Sequence, residues 1–250
     1  MSGHSKWSTI KRKKGAVDAK RGKIFSKLAK EIAVAARMGG EDPNGNPRLR
    51  TVLLAARAAN MPKDNVDKAI KKGAGTTEGV IYEESRYEAY GPGGVAIIIE
   101  VLTDNKNRTV ADVRHAVTKY GGSLAENGAV TWNFESKGYI AIAKDACSED
   151  EIFDKAIEAG AEDVATDGDM YEIYTEPTDL HAVVEALEGM GLTAGEAKLT
   201  MIPKTTMKIE GSQAKTTLKL MDLLEDCEDV QNVYSNFDLS DEAMAEAMAD

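Results

Sequence analysis

The sequence predicts an α+β protein: a small N-terminal helical bundle followed by two ferredoxin-like α/β domains, one inserted in the other. Three observations carry the prediction. Apolar residues recur at three- and four-residue steps through the first seventy or so positions, the period of helices with one buried face. A glycine- and threonine-rich stretch, Gly73 to Gly79, then separates this part from short β-branched runs alternating with helical ones. One later block, Gly138 to Met201, has the order strand, helix, strand, strand, helix, strand, which is the split βαβ arrangement. At 250 residues the chain has room for more than one core, since domains usually run about 100–150 residues.

Taken in order, Asp18 to Met38 places Ile24, Phe25, Leu28, Ile32, Ala35 and Ala36 on one stripe, and Gly39-Gly40 ends it. A second helix begins near Pro47, which suits a first turn whose N–H groups have no partner in any case. Leu49, Val52, Leu53 and Ala56 form its apolar face. Pro62 opens a third, with Val66, Ala69 and Ile70 inward. Ile81 to Tyr90 and Val95 to Leu102 read as strands about the turn Gly91-Pro92-Gly93-Gly94, and Asn107 to Tyr120 as a helix. Ala129 to Phe134 reads as a further strand.

In the inserted block the strands are Gly138–Ala143, Asp163–Ala165, Met170–Thr175 and Ala194–Met201. Ser148 and Glu151 form a capping box, Asp167-Gly168 marks a hairpin, and Pro177 lies in the first turn of the second helix. Thr205–Glu210, Ser212–Leu224 and Val230–Phe237 then read as strand, helix, strand. Joined with the fragment between Val95 and Trp132, they complete a second ferredoxin-like domain. The expected divisions are 1–78 (basic arm and three helices), 79–133 plus 204–240, 134–203 (inserted), and an acidic, frayed tail at 241–250.

The net charge of −11 argues at first against a polyanion partner. Its distribution reverses that argument. Met1 to Gly75 holds 18 Lys and Arg against 6 Asp and Glu, a net of +12, and the remainder carries −23. With 29% charged residues and no apolar run longer than one such as Val95–Ile99, a membrane span is excluded as an expectation. The start lacks the apolar segment of a secretory signal, and Cys147 and Cys227 show no framework spacing, so a cytoplasmic protein is expected.

Signs of catalysis are sparse. His4, His115 and His181 lie on separate segments and read as surface or packing residues. No nucleotide-binding glycine loop and no nucleophile motif occurs, so neither a cofactor nor a resident metal is expected. Asp167 with Asp169, and Glu83-Glu84, are the carboxylate pairs a metal-dependent nuclease would need, but the first already has a turn to form. The expectation is a protein that is not an enzyme.

Polyanion chemistry is abundant instead. Lys6, Lys11, Arg12, Lys13, Lys14, Lys20, Arg21, Lys23 and Lys27 crowd the first helix and the arm before it, with Trp7 placed either to stack on a base or to clamp the arm. Lys63, Asn65, Lys68, Lys71 and Lys72 lie on the third helix. Lysines outnumber arginines, which suits phosphates better than base edges, although the third helix, Pro62 to Lys72, could enter a groove with Lys63, Asn65 and Lys68 in a helix-turn-helix-like role. These are the candidate nucleic-acid-binding residues.

Several runs also resemble a known family. Gly3-His4-Ser5-Lys6-Trp7, Ile10-Lys11, Lys13-Lys14, Asp18-Ala19, Arg21-Gly22-Lys23 and Asn60-Met61-Pro62-Lys63-Asp64-Asn65 are similar to the N-terminal motifs of the YebC family, which includes the mitochondrial translational activator of cytochrome oxidase. Tyr87 to Gly94 and Asn105 to Thr109 resemble its middle-domain motifs, so the resemblance covers essentially the whole chain. It implies three domains and a cytosolic regulator of gene expression. Two roles are implied, a DNA-binding transcriptional regulator and a translation factor contacting ribosomal RNA where nascent chains stall. DNA, ribosomal RNA or the ribosome is the expected partner, no membrane is, and the oligomeric state is left open.

Overall fold

The computed structural model describes residues 18–75, 81–240 and 242–243. The arm ahead of residue 18 and the tail from 244 lie outside the described residues, as does the expected fraying there. Three helices come first: α1 (Asp18–Gly39), α2 (Pro47–Ala58) and α3 (Lys63–Gly73). Ile32, Ala35, Leu49, Val52, Ala56, Met61 and Ala69 form their buried core, with Phe25, Leu28, Val66 and Ile70 packed against it. Ile24, expected on the buried stripe, is instead 46% exposed. Among the described residues the three-helix core begins at Phe25, one position beyond Ile24.

Local chemistry fixes both connections. The Asn46 side chain accepts the Leu49 N–H at 3.0 Å as the cap of α2, and its amide donates to the carbonyls of Ala35 (2.8 Å) and Gly40 (2.7 Å). Asn60 then takes a left-handed φ of 53°, a conformation asparagine tolerates better than most side chains. This lets the N–H of Met61 reach Ala56 O and that of Asn60 reach Arg57 O, a Schellman ending. Gly73 passes so close to the Ala33 carbonyl that a Cβ there would overlap it, which fixes where α3 meets α1.

The inserted segment supplies β4 (Phe134–Ala143), α5 (Glu149–Ala159), β5 (Asp163–Asp167), β6 (Met170–Thr175), α6 (Leu180–Gly189) and β7 (Glu196–Pro203). Their sheet order, β5-β6-β4-β7, is that of a ferredoxin-like fold. Ile140, Ile142, Tyr171 and Ile173 on the sheet meet Ile152, Ala156, Val183 and Leu187 on the two helices.

The remaining elements are β1 (Glu83–Tyr90), β2 (Ala96–Thr103), α4 (Lys106–Lys119), β3 (Ser123–Ala125), β8 (Met207–Ile209), α7 (Gly211–Asp226), β9 (Val230–Ser235) and β10 (Phe237–Leu239). Their main sheet runs β3-β1-β2-β9, antiparallel throughout and again ferredoxin-like in spatial order. One strand has an unexpected source. The inner position beside β2 is filled by β1, which precedes the βαβ fragment, and not by residues 205–210, which shrink to β8 and pair parallel with β10. The turn explains the choice. Gly93 and Gly94 adopt φ of 72° and 90°, closing a short β1–β2 hairpin that pairs Glu83 through Tyr90 with Thr103 through Ala96. A short loop costs less entropy to close than one interrupted by a whole inserted domain.

β2 is buried on both faces. Ile97, Ile99 and Val101 face Val113 and Val117 of α4 and Leu218 and Met221 of α7, while Ala96 and Ile98 face Val130, Phe134, Met201 and Tyr234. Residues 129–133, expected as strand, form turns that cover this second face. By contacts the described chain divides into two units, one of residues 81–135 and 201–240, the other of residues 19–75 and 136–200.

Candidate nucleic-acid interface

α3 displays its cations by simple helical geometry. With Ala69 and Gly73 buried and Val66 and Ile70 half-buried, the positions left outward carry Lys63, Lys68, Lys71 and Lys72, and all four are exposed. Asn65 is exposed in the first turn, and Asp64 and Asp67 share the outer surface. Asp64 suits the positive N-terminal end of the helix, and Lys71 and Lys72 suit its C-terminal end. Because Gly73 abuts Ala33, the last turn of α3, which carries Lys71 and Lys72, lies against the C-terminal half of α1.

On α1, Arg21 and Lys23 are exposed and Lys27 is half-buried. Lys20 belongs to the helix, but its side chain is outside the described residues, as are Lys6, Trp7, Lys11, Arg12, Lys13 and Lys14 altogether. α2 contributes differently. Its Arg48 pairs with Glu31 at 3.3 Å and its Arg50 with Glu185 of α6 at 3.6 Å, so both are engaged within this unit. His181 joins the same contact, with Nε2 2.7 Å from Thr51 Oγ1 and 3.1 Å from Pro47 O. Burial pushes its imidazole below the ordinary histidine value, with Arg50 acting in the same direction and the Pro47 carbonyl and Glu185 opposing. It is a packing residue between helices.

The carboxylate pairs weighed for a nuclease are placed otherwise. Glu83 is bound to Lys106 at 2.5 Å, and Asp167 ends β5 while Asp169 lies within the β5–β6 turn. Among the described residues no three His, Cys, Asp or Glu side chains converge as a metal ion would need. Among them, too, no helix is long and apolar enough to cross a membrane.

The middle-domain motifs turn out to be structural devices. Asn105 caps α4 by accepting the Arg108 N–H at 3.1 Å. Arg108 donates to Asp229 (2.7 Å) and Asp104 (2.8 Å), and the buried Asp229 also accepts from Thr103 and Thr109. Sequence reasoning missed Asp229, 120 residues from Thr109, because nothing local marks it. Glu88 was missed as well. It is buried in β1 and accepts the backbone N–H groups of Gly128 (2.6 Å), Val130 (2.7 Å) and Thr131 (3.0 Å). Burial alone would raise its pKa, but these donors outweigh it and hold the carboxyl at about 2. Bound to Glu88, the N–H groups of Val130 and Thr131 do not enter a strand ladder, in keeping with the turns at residues 129–133.

The basic three-helix region and the two ferredoxin-like sheets together define a class. Family models described as the TACO1/YebC protein N-terminal domain and the TACO1/YebC second and third domain match residues 5–76 and 82–237, and the chain belongs to that family. It is 57% identical over 248 residues to a "probable transcriptional regulatory protein" of Geobacter sp. (strain M21), spanning 99% of this chain and 100% of that one. A protein of the same description from Desulforapulum autotrophicum is 58% identical over 242 residues, 97% of this chain and 98% of its own. The crystal structure of a conserved hypothetical protein from Aquifex aeolicus shares the fold, with a TM-score of 0.85 and 48% identity over 90% of this chain and 93% of that one.

Proposed function

We propose that this protein is a non-enzymatic, cytoplasmic regulator of gene expression that binds nucleic acid through its N-terminal third, and that it acts on DNA as a transcriptional regulator. The observation that carries the reading is the outward face of α3, where Lys63, Lys68, Lys71 and Lys72 are all exposed within a region of net charge +12. Such a density of lysine is neutralised well by a phosphate backbone, which presents a charge every few ångström and releases counterions on contact. The description shared by the bacterial relatives, transcriptional regulatory protein, agrees with the DNA reading.

One observation favours a second reading, contact with ribosomal RNA as a translation factor. The outward face of α3 offers lysines and Asn65 but no arginine or glutamine, so it is equipped mainly for phosphates and hardly for bidentate reading of base edges. Crosslinking in cells, followed by sequencing of both the attached DNA and the attached RNA, tests the two. Peaks at promoters are expected for the transcriptional role. Peaks confined to ribosomal RNA would replace it with the translational one, and no enrichment of either would refute nucleic-acid binding.

A further inference from the structure

A second patch with nucleic-acid chemistry lies on the β1–β2 sheet unit, in a part of the sequence separate from the three helices. Tyr90 ends β1 with 40% of its surface exposed, and Trp132, in the turn Thr131–Asn133, is 68% exposed. Large aromatics are normally drawn toward the core, yet these two stand at the surface and are held there. Both donate to one acceptor, the Ala129 carbonyl: Tyr90 Oη at 3.1 Å and Trp132 Nε1 at 2.9 Å. Each ring therefore has its polar atom directed at the same point of the protein, while much of the residue's surface stays exposed.

The support beneath them is rigid. Glu88 clasps the N–H groups of Gly128, Val130 and Thr131 on either side of Ala129, and Val130 is packed into the apolar layer under β2. On the far side of Trp132, Asn133 is tied to Thr205 through its amide at 3.0 Å, and its backbone carbonyl accepts the N–H of Lys204 at 2.7 Å. The exposed Lys204 is thereby fixed next to the aromatic turn. Lys204 also begins a stretch ending at Lys219 that holds four lysines and one acid, Glu210, within a part of the chain whose net charge is −23. Glu126 and Glu135 are exposed near the turn, so the patch suits a base face flanked by one or two phosphates better than a long phosphate track.

We infer that Tyr90 and Trp132 form a stacking platform for unpaired nucleobases, with Lys204 placed for the adjoining phosphate. A duplex interior hides the faces of its bases, so the ligand is single-stranded or looped nucleic acid, taken up without regard to base identity. The inference rests on the nucleic-acid-binding reading above and adds to it a second contact, distant in sequence from the basic N-terminal third.

The test uses the full chain labelled with fluorotryptophan, whose two tryptophans give two fluorine resonances; the one missing from Trp132→Leu belongs to Trp132. Dye-labelled oligo(U) and oligo(dT) of about a dozen nucleotides, the same length as duplex, and an abasic strand are titrated while anisotropy reports binding. The expected result is that the Trp132 resonance moves with both single strands and stays still with duplex and abasic strand. Trp132→Leu should bind the single strands about five- to a hundredfold more weakly, with an unchanged circular dichroism spectrum. A larger shift with oligo(U) than with oligo(dT) would assign the platform to RNA, and the reverse to single-stranded DNA. Anisotropy that rises while the Trp132 resonance stays still, with affinity unaltered in Trp132→Leu, overturns the platform and leaves the proposed function standing. No binding of any strand overturns both.

Discussion

Glu88 shows how a charge can be a structural part and not a chemical one. It lies within the run Tyr87 to Gly94 that resembles the family motif, yet its two oxygens are spent on three backbone N–H groups of the 128–131 segment. The carboxyl is held at about 2, down from 4.5, and is only 5% exposed. A depressed folded-state value means the unfolded chain takes up the proton first as pH falls. The stabilisation is therefore full above about 4.5 and is lost as pH drops toward 2, amounting to on the order of 3 kcal/mol. Glu88→Gln should lower stability near neutral pH by roughly 2–3 kcal/mol, because one oxygen becomes a donor facing a donor. Denaturant melts of both chains from about pH 6 to pH 3 would check this, with the gap between them narrowing as acid is added. A constant gap would mean that the buried carboxylate is not what titrates. Asp229 and Arg108 act in the same way at the start of α4, so both middle-domain motifs hold the sheet unit together.

At the level of elements, the contact between α2 and α6 has its own pH signature. His181 of α6 reaches Thr51 and the Pro47 carbonyl of α2, while Arg50 and Glu185 face each other alongside. Burial favours the neutral ring, so its folded value lies below the unfolded 6.5. The sign follows: this contact contributes fully above about 6.5 and weakens as pH falls through that value toward the depressed one. His181→Gln keeps a hydrogen-bonding side chain that does not titrate. Its stability should fall less than that of the natural chain between about pH 7 and pH 5.5, measured by urea midpoints; parallel curves would count against the histidine. What the sequence reveals about such elements depends on range. Pro47, Ser148 with Glu151, and Asp167-Gly168 are legible because caps and turns need particular side chains within a few residues. The periodicity of the helices, and the ferredoxin-like order of the inserted sheet, are legible for the same reason. The placement of β1 beside β2, the turns at 129–133 and the exposure of Ile24 are not, since each depends on partners far along the chain. The outward lysines of α3 follow from helical geometry alone, whereas Tyr90 and Trp132 come together only once Glu88 has fixed the turn between them.

Across the whole molecule the average charge hides an uneven distribution, and salt dependence is the measurement that reads whether the basic part meets a polyanion. A polyanion approaching this chain meets a region of +12 and a remainder of −23, so the long-range field of the whole chain opposes any contact that the proposed basic face makes. Affinity at one salt concentration mixes the two, but the slope of log affinity against log salt counts phosphate contacts at about 0.9 each on duplex DNA. If about five phosphates are engaged, binding should fall several hundredfold between roughly 50 and 200 mM salt. Lys63, Lys68, Lys71 and Lys72 all point away from the core of Ile32, Leu49 and Val52, so changing them to glutamine removes cations without adding carboxylates or disturbing packing. That fourfold variant should keep its circular dichroism spectrum and lose affinity. Its slope should drop by roughly 0.9 for every lysine that truly meets a phosphate. A weaker affinity with an unchanged slope would instead show that these lysines act only through the overall field, and would move the contact surface to the arm of Lys11, Arg12, Lys13 and Lys14. The slope thus separates touching from attracting, which the sum of charges on the chain does not.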